Sequence, residues 1–534
     1  MFTKLLVWSL MGLAHLPTLR AEAALPPTLI LPWGVYEGQP MTDDPDIFLF
    51  ENVRFGANPL RFGPPAFPTS TSTAIQPVSD GRNCIQIDPN GLHNAPGGQS
   101  PVDTPDDQVT PQGEDCLFLD LYVPKHVIET PPVKALPVVV WIYGGAFAFG
   151  SKNQLGPLYT GHAWGESAGA GSILHHLVRE DGAVDPTFKT FAVQSPAFEW
   201  AWDKNPMGKL DQVYQNFSSL AGCGLAFNLT CLKESTNLTA ANQALFDTVK
   251  QTGLFPVGPA VDDKWITTIP TISFANGKYW KSSIQSTIIS HVLNETASFI
   301  PSFVTSSDTF AEFLDVFLPG AELASQRQKI AAQYPCTKYP YDGDYRLCIA
   351  TVIRDASFTC NTRDLYSAYP SKSHMLRYGF PTAYYARHAS DLVPLFSNDF
   401  IEAKAILEKN SVSTVEAWGY ALLRTKSDLA EAYQRYFASF ALSGGNPNTL
   451  SMSKVWGWEP PTWTVADGNG DELSNVLSVG PPDLVSSALA LDADDQNTKS
   501  ACGFWTEIAK EVVAAQEVAE VVWNGVKVVD SDEL

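Results

Sequence analysis

The chain has 534 residues, of which 45% are hydrophobic, and a formal net charge of −22 at pH 7. A chain of this length and composition can bury a large core, and no repeat or low-complexity linker divides it. The acidic balance and the absence of any lysine and arginine cluster argue against a nucleic-acid partner.

Residues 1–23 have the pattern of a secretory signal peptide. Lys4 precedes an apolar core from Leu5 to Ala14, and Ala21-Glu22-Ala23 has the A-x-A form of a cleavage site. The apolar core is too short to cross a bilayer, and no later run has the length of a transmembrane helix. We therefore expect a secreted mature domain over residues 24–534, without a stable membrane span.

Other features agree with export. Disulfides persist in oxidising compartments, so the eight cysteines fit a secreted protein, although spacing alone does not give their pairing. Four sequons are compatible with glycosylation, at Asn216, Asn228, Asn237 and Asn294. The C-terminal Ser531-Asp532-Glu533-Leu534 is similar to an endoplasmic-reticulum retention signal, which leaves luminal retention as the alternative to secretion.

Short apolar runs alternate with helical patterns, which favours an α/β fold. Val138–Ile142 is wholly apolar, as expected of a parallel strand covered on both faces, and Gly144-Gly145 follows it. The other predicted strands are Leu117–Val123, Ile284–Val292 (before Glu295) and Thr382–Tyr385 (before His388), and the predicted helices include Glu402–Lys409, Ser427–Leu442 and Phe504–Val522.

Gly165-Glu166-Ser167-Ala168-Gly169 has the G-x-S-x-G form of a nucleophile elbow, a sharp turn that exposes a serine hydroxyl. The pentapeptide alone is weak evidence. Its weight comes from the order Ser…Glu…His that follows, which is the order of an α/β-hydrolase. The next residues predict a helix, because Ile173, Leu174, Leu177 and Val178 share one apolar face.

The predicted chemistry is acyl transfer to Ser167 and then to water. His388 is the predicted general base, and Glu295 would hold its imidazole in the productive tautomer. Each residue has an ordinary alternative, a histidine in a surface loop and an exposed glutamate. Because Asn294-Glu295-Thr296 is also a sequon, a glutamate buried in a triad would argue against a sugar at Asn294.

The amides of Gly145, Ala146 and Ala168 are the predicted oxyanion-hole donors, and Gly144 makes room for their loop. A Gly-Gly pair after a strand is otherwise a tight turn. No metal-ligand cluster, phosphate loop or nucleotide motif indicates a cofactor. The close pair Cys223 and Cys231 has no second pair of ligands near it in sequence.

The segment Glu114–Pro124, with sequence EDCLFLDLYVP, resembles a specific signature of the type-B carboxylesterase/lipase family. Further stretches resemble the same family, namely Arg61–Pro65, Gly165–Gly169, Phe437–Pro447 and Cys502–Trp505. The resemblance implies an α/β-hydrolase with a mostly parallel sheet flanked by helices, and the triad Ser167, Glu295 and His388. It also implies four disulfides, Cys84–Cys116, Cys223–Cys231, Cys336–Cys348 and Cys360–Cys502.

The sequence departs from the family between the oxyanion loop and the elbow, since Ser167 follows Gly145 by only 22 residues. Members of the family place a strand, a helix and a second strand there, and such a unit takes about 30 residues or more. Phe147–Trp164 contains no strand-like run. Two interpretations stay open. The favoured one is a skipped exon in an otherwise normal esterase, and the other is a genuine short form that is misfolded or inactive.

The loop Ile85–Asp115 contains no Phe, Tyr or Trp. In the cholinesterase branch of the family this region supplies an aromatic face for a cation, and in the lipase branch it forms an apolar lid. We therefore expect a carboxylesterase acting on soluble, mainly uncharged small-molecule esters. The alternatives are a catalytically inactive binding protein of the same fold and a lipase.

Overall fold

The computed structural model describes residues 25–42, 44–69, 71–78, 81–87, 112–132, 136–152, 165–198, 200–203, 208–243, 257–297, 299–396, 428–480 and 488–523, with backbone alone for 516–523. The described residues fall into two compact units. The first unit comprises the described residues of segments 1–53, 69–80 and 120–131. The second unit comprises those of 54–68, 81–119 and 132–534. The predicted signal peptide and the C-terminal tail lie outside the described residues.

The N-terminal part of the chain contributes short strands in three small sheets, ordered β1-β2, β3-β4-β7 and β5-β6. Tyr36, Phe50 and Val53 form a small core of the first unit. The strands are β1 Thr28–Leu31, β2 Gly34–Glu37, β3 Gln39–Pro40, β4 Ile47–Arg54, β5 Asn83–Cys84, β6 Gln112–Gly113 and β7 Phe118–Pro124.

A six-stranded sheet in the second unit has the order β13-β12-β11-β10-β9-β8. Strands β8 to β12 run parallel and β13 is antiparallel to β12. Its strands are β8 Gly165–Glu166, β9 Thr190–Gln194, β10 Ser286–Val292, β11 Ser373–Tyr378, β12 Leu473–Val479 and β13 Leu489–Asp494.

Helices cover this sheet, as expected where parallel strands are joined by crossovers. The described helices of the second unit are α2 Ala168–Gly182, α3 Lys209–Leu220, α4 Leu229–Glu234, α5 Pro270–Ala275, α6 Ser307–Phe317, α7 Ala324–Gln333, α8 Tyr345–Arg354, α9 Cys360–Ala368, α10 Leu392–Phe396, α11 Asp428–Ser443 and α12 Lys499–Trp523, and the first unit has one described helix, α1 Lys125–Glu129. A π-turn, Asp355–Thr359, joins α8 to α9, and a 3₁₀ turn, Ala321–Leu323, precedes α7.

Two hydrophobic cores lie on the two faces of the sheet. Adjacent residues of β10 belong to different cores, Ile289 to the one that contains Trp505 and Ile288 to the one that contains Trp463. This alternation follows from the two-residue period of a strand. All seven residues of β10 are buried, so the strand lies in the interior of the sheet.

Most sequence-predicted elements are confirmed. Leu117–Val123 corresponds to β7, Ile284–Val292 to β10, Ser427–Leu442 to α11, and Phe504–Val522 to α12. The α/β class and the mostly parallel sheet are confirmed as well. The predicted helix Glu402–Lys409 lies outside the described residues.

Two predicted strands are wrong. Val138–Ile142 makes a single bridge, from Ile142 to Gly165, and Val138 and Val140 are 81% and 69% exposed. The run forms no longer pairing because the strand next to it, β8, has only two residues. Thr382–Tyr385 forms turns, because Pro381 just before it cannot donate to a sheet. The strand before His388 is β11, which ends at Tyr378.

The structure contains the four disulfides that the family resemblance implies, Cys84–Cys116, Cys223–Cys231, Cys336–Cys348 and Cys360–Cys502. The last joins α9 to α12 across 142 residues of sequence. A search of the described helices finds none with the length and apolar character that a bilayer crossing requires.

Candidate active site

Ser167 lies at the junction between the two-residue strand β8 and helix α2. Its backbone has φ 52° and ψ −122°, a conformation that costs energy for any residue with a Cβ. Its N–H donates to the Gln194 carbonyl of the adjacent strand, at 2.9 Å. The side chain does not cap α2, so the hydroxyl is not engaged by the helix that it precedes. This is the geometry of a nucleophile elbow.

The backbone around Ser167 is packed too closely for larger residues. A Cβ on Gly169 would lie 1.9 Å from the Ile142 carbonyl oxygen. A Cβ on Gly144 would lie 2.6 Å from Glu166 Oε2 and 3.0 Å from Ser167 Cβ. The Gly144 loop therefore lies directly against the elbow, which is where a loop must lie to contribute oxyanion donors.

His388 and Glu295 form a buried pair. His388 Nδ1 lies 2.7 Å from Glu295 Oε2, and the two side chains are 3% and 0% exposed. Glu295 Oε1 accepts a second hydrogen bond, from the Val292 N–H at 2.9 Å. The carboxylate is thus fixed at both oxygens, just after β10. It can orient the imidazole with Nδ1 protonated and leave Nε2 for proton transfer.

The other ring nitrogen faces Glu166, the residue before the serine. His388 Nε2 lies 3.2 Å from Glu166 Oε1. Within the part of the chain that the structure describes, Ser167 Oγ takes part in no hydrogen bond. The structure therefore brings Glu295 and His388 together, and it places His388 against the residue adjacent to Ser167 without a hydrogen bond to the hydroxyl.

The predicted oxyanion donors lie in strained or terminal backbone. Gly145 and Ala146 have φ values of 109° and 51°, and the Gly145 carbonyl accepts from the N–H groups of Ala148 and Phe149. Ala168 is the first residue of α2, where amides have no partner inside the helix. Among the described residues, no hydrogen bond is donated by the amides of Gly145, Ala146 or Ala168.

Aromatic side chains surround the imidazole. The ring centroids of Phe299 and Phe358 lie 5.3 and 4.9 Å from that of His388, both at steep angles. Phe299 also belongs to a small apolar cluster with Ala146 and Phe149 of the oxyanion loop. The acid and base thus lie beside an apolar wall, which excludes water and strengthens electrostatic interactions.

A second buried pair links β9, the strand next to the elbow, to the histidine loop. Gln194, whose carbonyl accepts from Ser167, donates through Nε2 to Asp391 Oδ2 at 2.6 Å. Asp391 is fully buried, three residues after His388. Burial raises the pKa of its carboxyl to about 6, against the hydrogen bond from Gln194, which lowers it. This pair is a direct polar connection between β9, which accepts from the Ser167 N–H, and the loop that carries His388.

Sequence reasoning missed several residues of this site. Glu166 stands inside the Gly165–Gly169 motif and Asp391 lies three residues after His388, so their charge close to the serine and the histidine was a usable signal. Phe358 lies 30 residues before His388, and no sequence pattern connects the two. Among the described residues there is no group of three or more His, Cys, Asp or Glu side chains that could hold a metal ion.

Comparisons with known proteins agree with the α/β fold described above. The model of the Carboxylesterase family matches residues 26–161 and 162–495. A secreted lipase of Arthroderma benhamiae is 28% identical over 471 residues, covering 75% of this chain and 83% of the lipase. The carboxylesterase patB of Aspergillus clavatus is 22% identical over 565 residues, covering 86% and 92%.

A solved structure has the same fold. The crystal structure of Aspergillus niger EstA superposes with a TM-score of 0.66 and 19% sequence identity, covering 92% of this chain and 99% of that chain.

Proposed function

Because the chain belongs to the carboxylesterase family and is therefore an ester hydrolase, we propose that it cleaves small-molecule esters through an acyl-enzyme on Ser167. His388 serves as general base and acid, and Glu295 holds its tautomer. The observation that carries the proposal is the buried His388–Glu295 pair, 2.7 Å apart, beside a serine in an elbow conformation. The family match includes residues of both compact units, which supports one catalytic domain over residues 24–534.

In the proposed reaction, the Ser167 hydroxyl gives its proton to His388 Nε2 while Oγ bonds to the ester carbonyl carbon. The amides of Gly145, Ala146 and Ala168 receive the oxyanion. The imidazolium then protonates the leaving alkoxide as the carbon–oxygen bond breaks. Water, deprotonated by the same imidazole, then attacks the acyl carbon, and the imidazolium returns the proton to Ser167 Oγ as the Oγ–acyl bond breaks and the carboxylic acid leaves. No cofactor takes part in these steps.

The contact between His388 and Glu166 has a role in this cycle. When Nδ1 donates to Glu295, a neutral Nε2 would present its lone pair to the Glu166 carboxylate. The 3.2 Å approach is favourable when Nε2 carries a proton, so Glu166 stabilises the imidazolium.

The surroundings of His388 support uncharged substrates. Phe299, Phe149 and Ala146 form an apolar surface next to the imidazole and the oxyanion loop. The aromatic-free stretch Ile85–Asp115 gives no face for a choline cation, although residues 88–111 lie outside the described residues. A lipase is the second candidate, favoured by the similarity to a secreted lipase. A rate that rises sharply above the solubility limit of the ester would identify it.

We further propose that the sequence lacks an internal segment before the elbow. The family match is broken between residues 161 and 162. The alignment with the Aspergillus clavatus carboxylesterase extends over 565 residues, more than this whole chain of 534, while it uses 86% of the chain. The two-residue strand β8 and the exposed Val138 and Val140 support the same interpretation. Sequencing of the transcript across codons 159–164 tests it.

We propose that the chain is secreted, which its similarity to a secreted lipase supports; its four disulfides fit secretion and luminal retention equally. Three predicted glycosylation sites, Asn216, Asn228 and Asn237, are exposed. Asn294 donates through Nδ2 to the Tyr384 carbonyl at 2.8 Å, next to the buried Glu295. We therefore propose sugars at the first three sites and none at Asn294.

Fluorophosphonate labelling of the purified chain tests the nucleophile. We expect labelling that disappears in Ser167→Ala and persists in Ser172→Ala, a matched change on the same helix whose Oγ only bonds the Ala168 carbonyl. A soluble chain that is not labelled would contradict the proposed hydrolase and favour the inactive form. Equal labelling of both variants would instead reject Ser167 as the nucleophile.

A further inference from the structure

We infer that the π-turn Asp355–Thr359 is a positioning element that fixes His388 relative to Ser167. The inference rests on the proposed function, because it assigns residues that act through the base and the nucleophile. The turn acts through its own Phe358, which packs on the imidazole, and through Asn361 of the following helix α9, which donates to the Ser357 carbonyl of the turn and to the loop next to the elbow.

The first contact is with the base. The Phe358 ring lies edge-on to His388, with centroids 4.9 Å apart and planes at 62°. Phe358 is 5% exposed and is itself stacked on Phe299, whose ring also contacts His388. Two rings that pack on each other and on the imidazole restrict its rotation about the Glu295 hydrogen bond. The position of Nε2 then depends on both Glu295 and Phe358.

The second contact is with the nucleophile. The Asn361 side-chain amide donates to the Pro196 carbonyl at 2.9 Å and to the Ser357 carbonyl at 2.8 Å. The next residue, Ala197, donates its N–H to the Ser167 carbonyl at 3.0 Å. Asn361 is 1% exposed, so no water competes for these bonds. It therefore supports the loop that holds the elbow in place.

The π-turn itself is fixed at both ends. Asp355 pairs with Arg354 at 2.7 Å and accepts from the Tyr334 hydroxyl at 2.9 Å, which in turn accepts from Trp505 Nε1 at 2.7 Å. At the other end, Cys360 is bonded to Cys502. An element anchored in this way transmits little of its own motion to the residues that it carries.

The π-turn explains how one segment of the chain contacts both His388 and the loop at Pro196. A π-turn inserts one residue into an otherwise α-helical run, which rotates every later residue by about 100° around the axis. The insertion directs Asp355 into its polar anchor and still brings Phe358 and Asn361 towards the triad. A regular helix over the same residues would not satisfy both sets of contacts.

The test is Phe358→Leu, with Phe313→Leu as a matched control. Phe313 is equally buried, is stacked on Phe317, and belongs to α6 rather than to the segments that contact His388. For a short p-nitrophenyl ester, we expect Phe358→Leu to lower kcat about tenfold with KM changed less than about twofold, since small misplacements of a catalytic group have large kinetic effects. The fluorophosphonate labelling rate should fall in parallel, while Phe313→Leu keeps both near the parent values.

The outcomes separate this inference from the proposed function. A parent chain that is not labelled would overturn both. A labelled parent with a Phe358→Leu variant that matches Phe313→Leu in kcat would overturn the inference alone. If Phe358→Leu does not fold, Asn361→Asp serves instead, because it replaces the donor with an acceptor at nearly constant volume. A folded Asn361→Asp with unchanged kcat would overturn the inference as well.

Discussion

The interior of the six-stranded sheet and its β8 edge differ in how many residues of their strands pair with a neighbour. Strand β10 pairs with β9 over five residues and with β11 over six, and loops after β10 and β11 bring Glu295 and His388 to a buried contact. At the edge, Ser167 follows a two-residue strand whose outer neighbour makes one bridge. Glu295 and His388 therefore follow well-paired strands, whereas Ser167 is positioned by tight turns and by a few hydrogen bonds.

The largest expected effect comes from breaking the interior pair. Glu295→Gln keeps an acceptor for the Val292 N–H but presents an amide donor to His388 Nδ1, which forces the wrong tautomer. We expect kcat/KM for a p-nitrophenyl ester to fall about 10⁴-fold with the fold intact. The exposed Glu472→Gln is the control. A loss below tenfold would mean that Glu295 does not orient the base.

The next largest effect is on the free energy of unfolding, and it compares a long disulfide-closed loop with a short one. Cys360 is on α9, which packs against β10, and its bond to Cys502 closes 142 residues of chain, whereas Cys223–Cys231 closes 8. Replacing both cysteines of the long bridge with serine should lower the free energy of unfolding by about 4–5 kcal/mol. The short bridge should contribute about 2–3 kcal/mol. Urea unfolding of the two double variants compares them, and equal losses would contradict the chain-entropy argument.

At the β8 edge, a substitution in the Gly144 loop tests whether this loop contributes to the site. In Gly144→Ala the new methyl would press on Glu166 Oε2 and Ser167 Cβ and displace the oxyanion donors. We expect kcat to fall about a hundredfold, comparable to the loss of one oxyanion donor. Gly503→Ala is the matched control, since no heavy atom lies within 4 Å of a Cβ there. Full activity of Gly144→Ala would remove this loop from the site.

The smallest expected effect is on the pH dependence of folding stability, through a buried histidine close to the β8 edge. His175, on the helix that follows the elbow, is 2% exposed, and burial lowers its pKa to about 4. Because the folded pKa is below the ordinary 6.5, its stabilisation is complete above pH 6.5 and is lost as the pH falls towards 4. The full loss is about 3 kcal/mol. Unfolding midpoints of His175→Leu should decline less between pH 7.5 and 5 than those of the parent, and equal declines would contradict this assignment.

The sequence predicted much of the fold and of the site because those features are local. The helices α11 and α12 follow from periodicity, and the strand before Glu295 follows from a bounded apolar run. The triad residues were selected by their order and by the elbow motif. These signals need no knowledge of distant neighbours.

What the sequence did not predict depends on neighbours. The apolar run at Val138–Ile142 is exposed because the strand that it would pair with has two residues, which composition does not reveal. Phe358 meets His388 only because a π-turn re-aims the helix, and such turns lack a clear sequence signature. Glu166 could have been considered, but its contact with Nε2 depends on the rotation of the imidazole.

The close packing around Gly169 has a consequence for laboratory evolution. A side chain there would overlap the Ile142 carbonyl, so almost every library member mutated at this position will be lost before selection can act on it. A library is better directed at Phe299, whose partly buried ring lies next to the imidazole and is not part of the elbow turn. Variants there can reshape what the site accepts while the turn that presents Ser167 stays untouched.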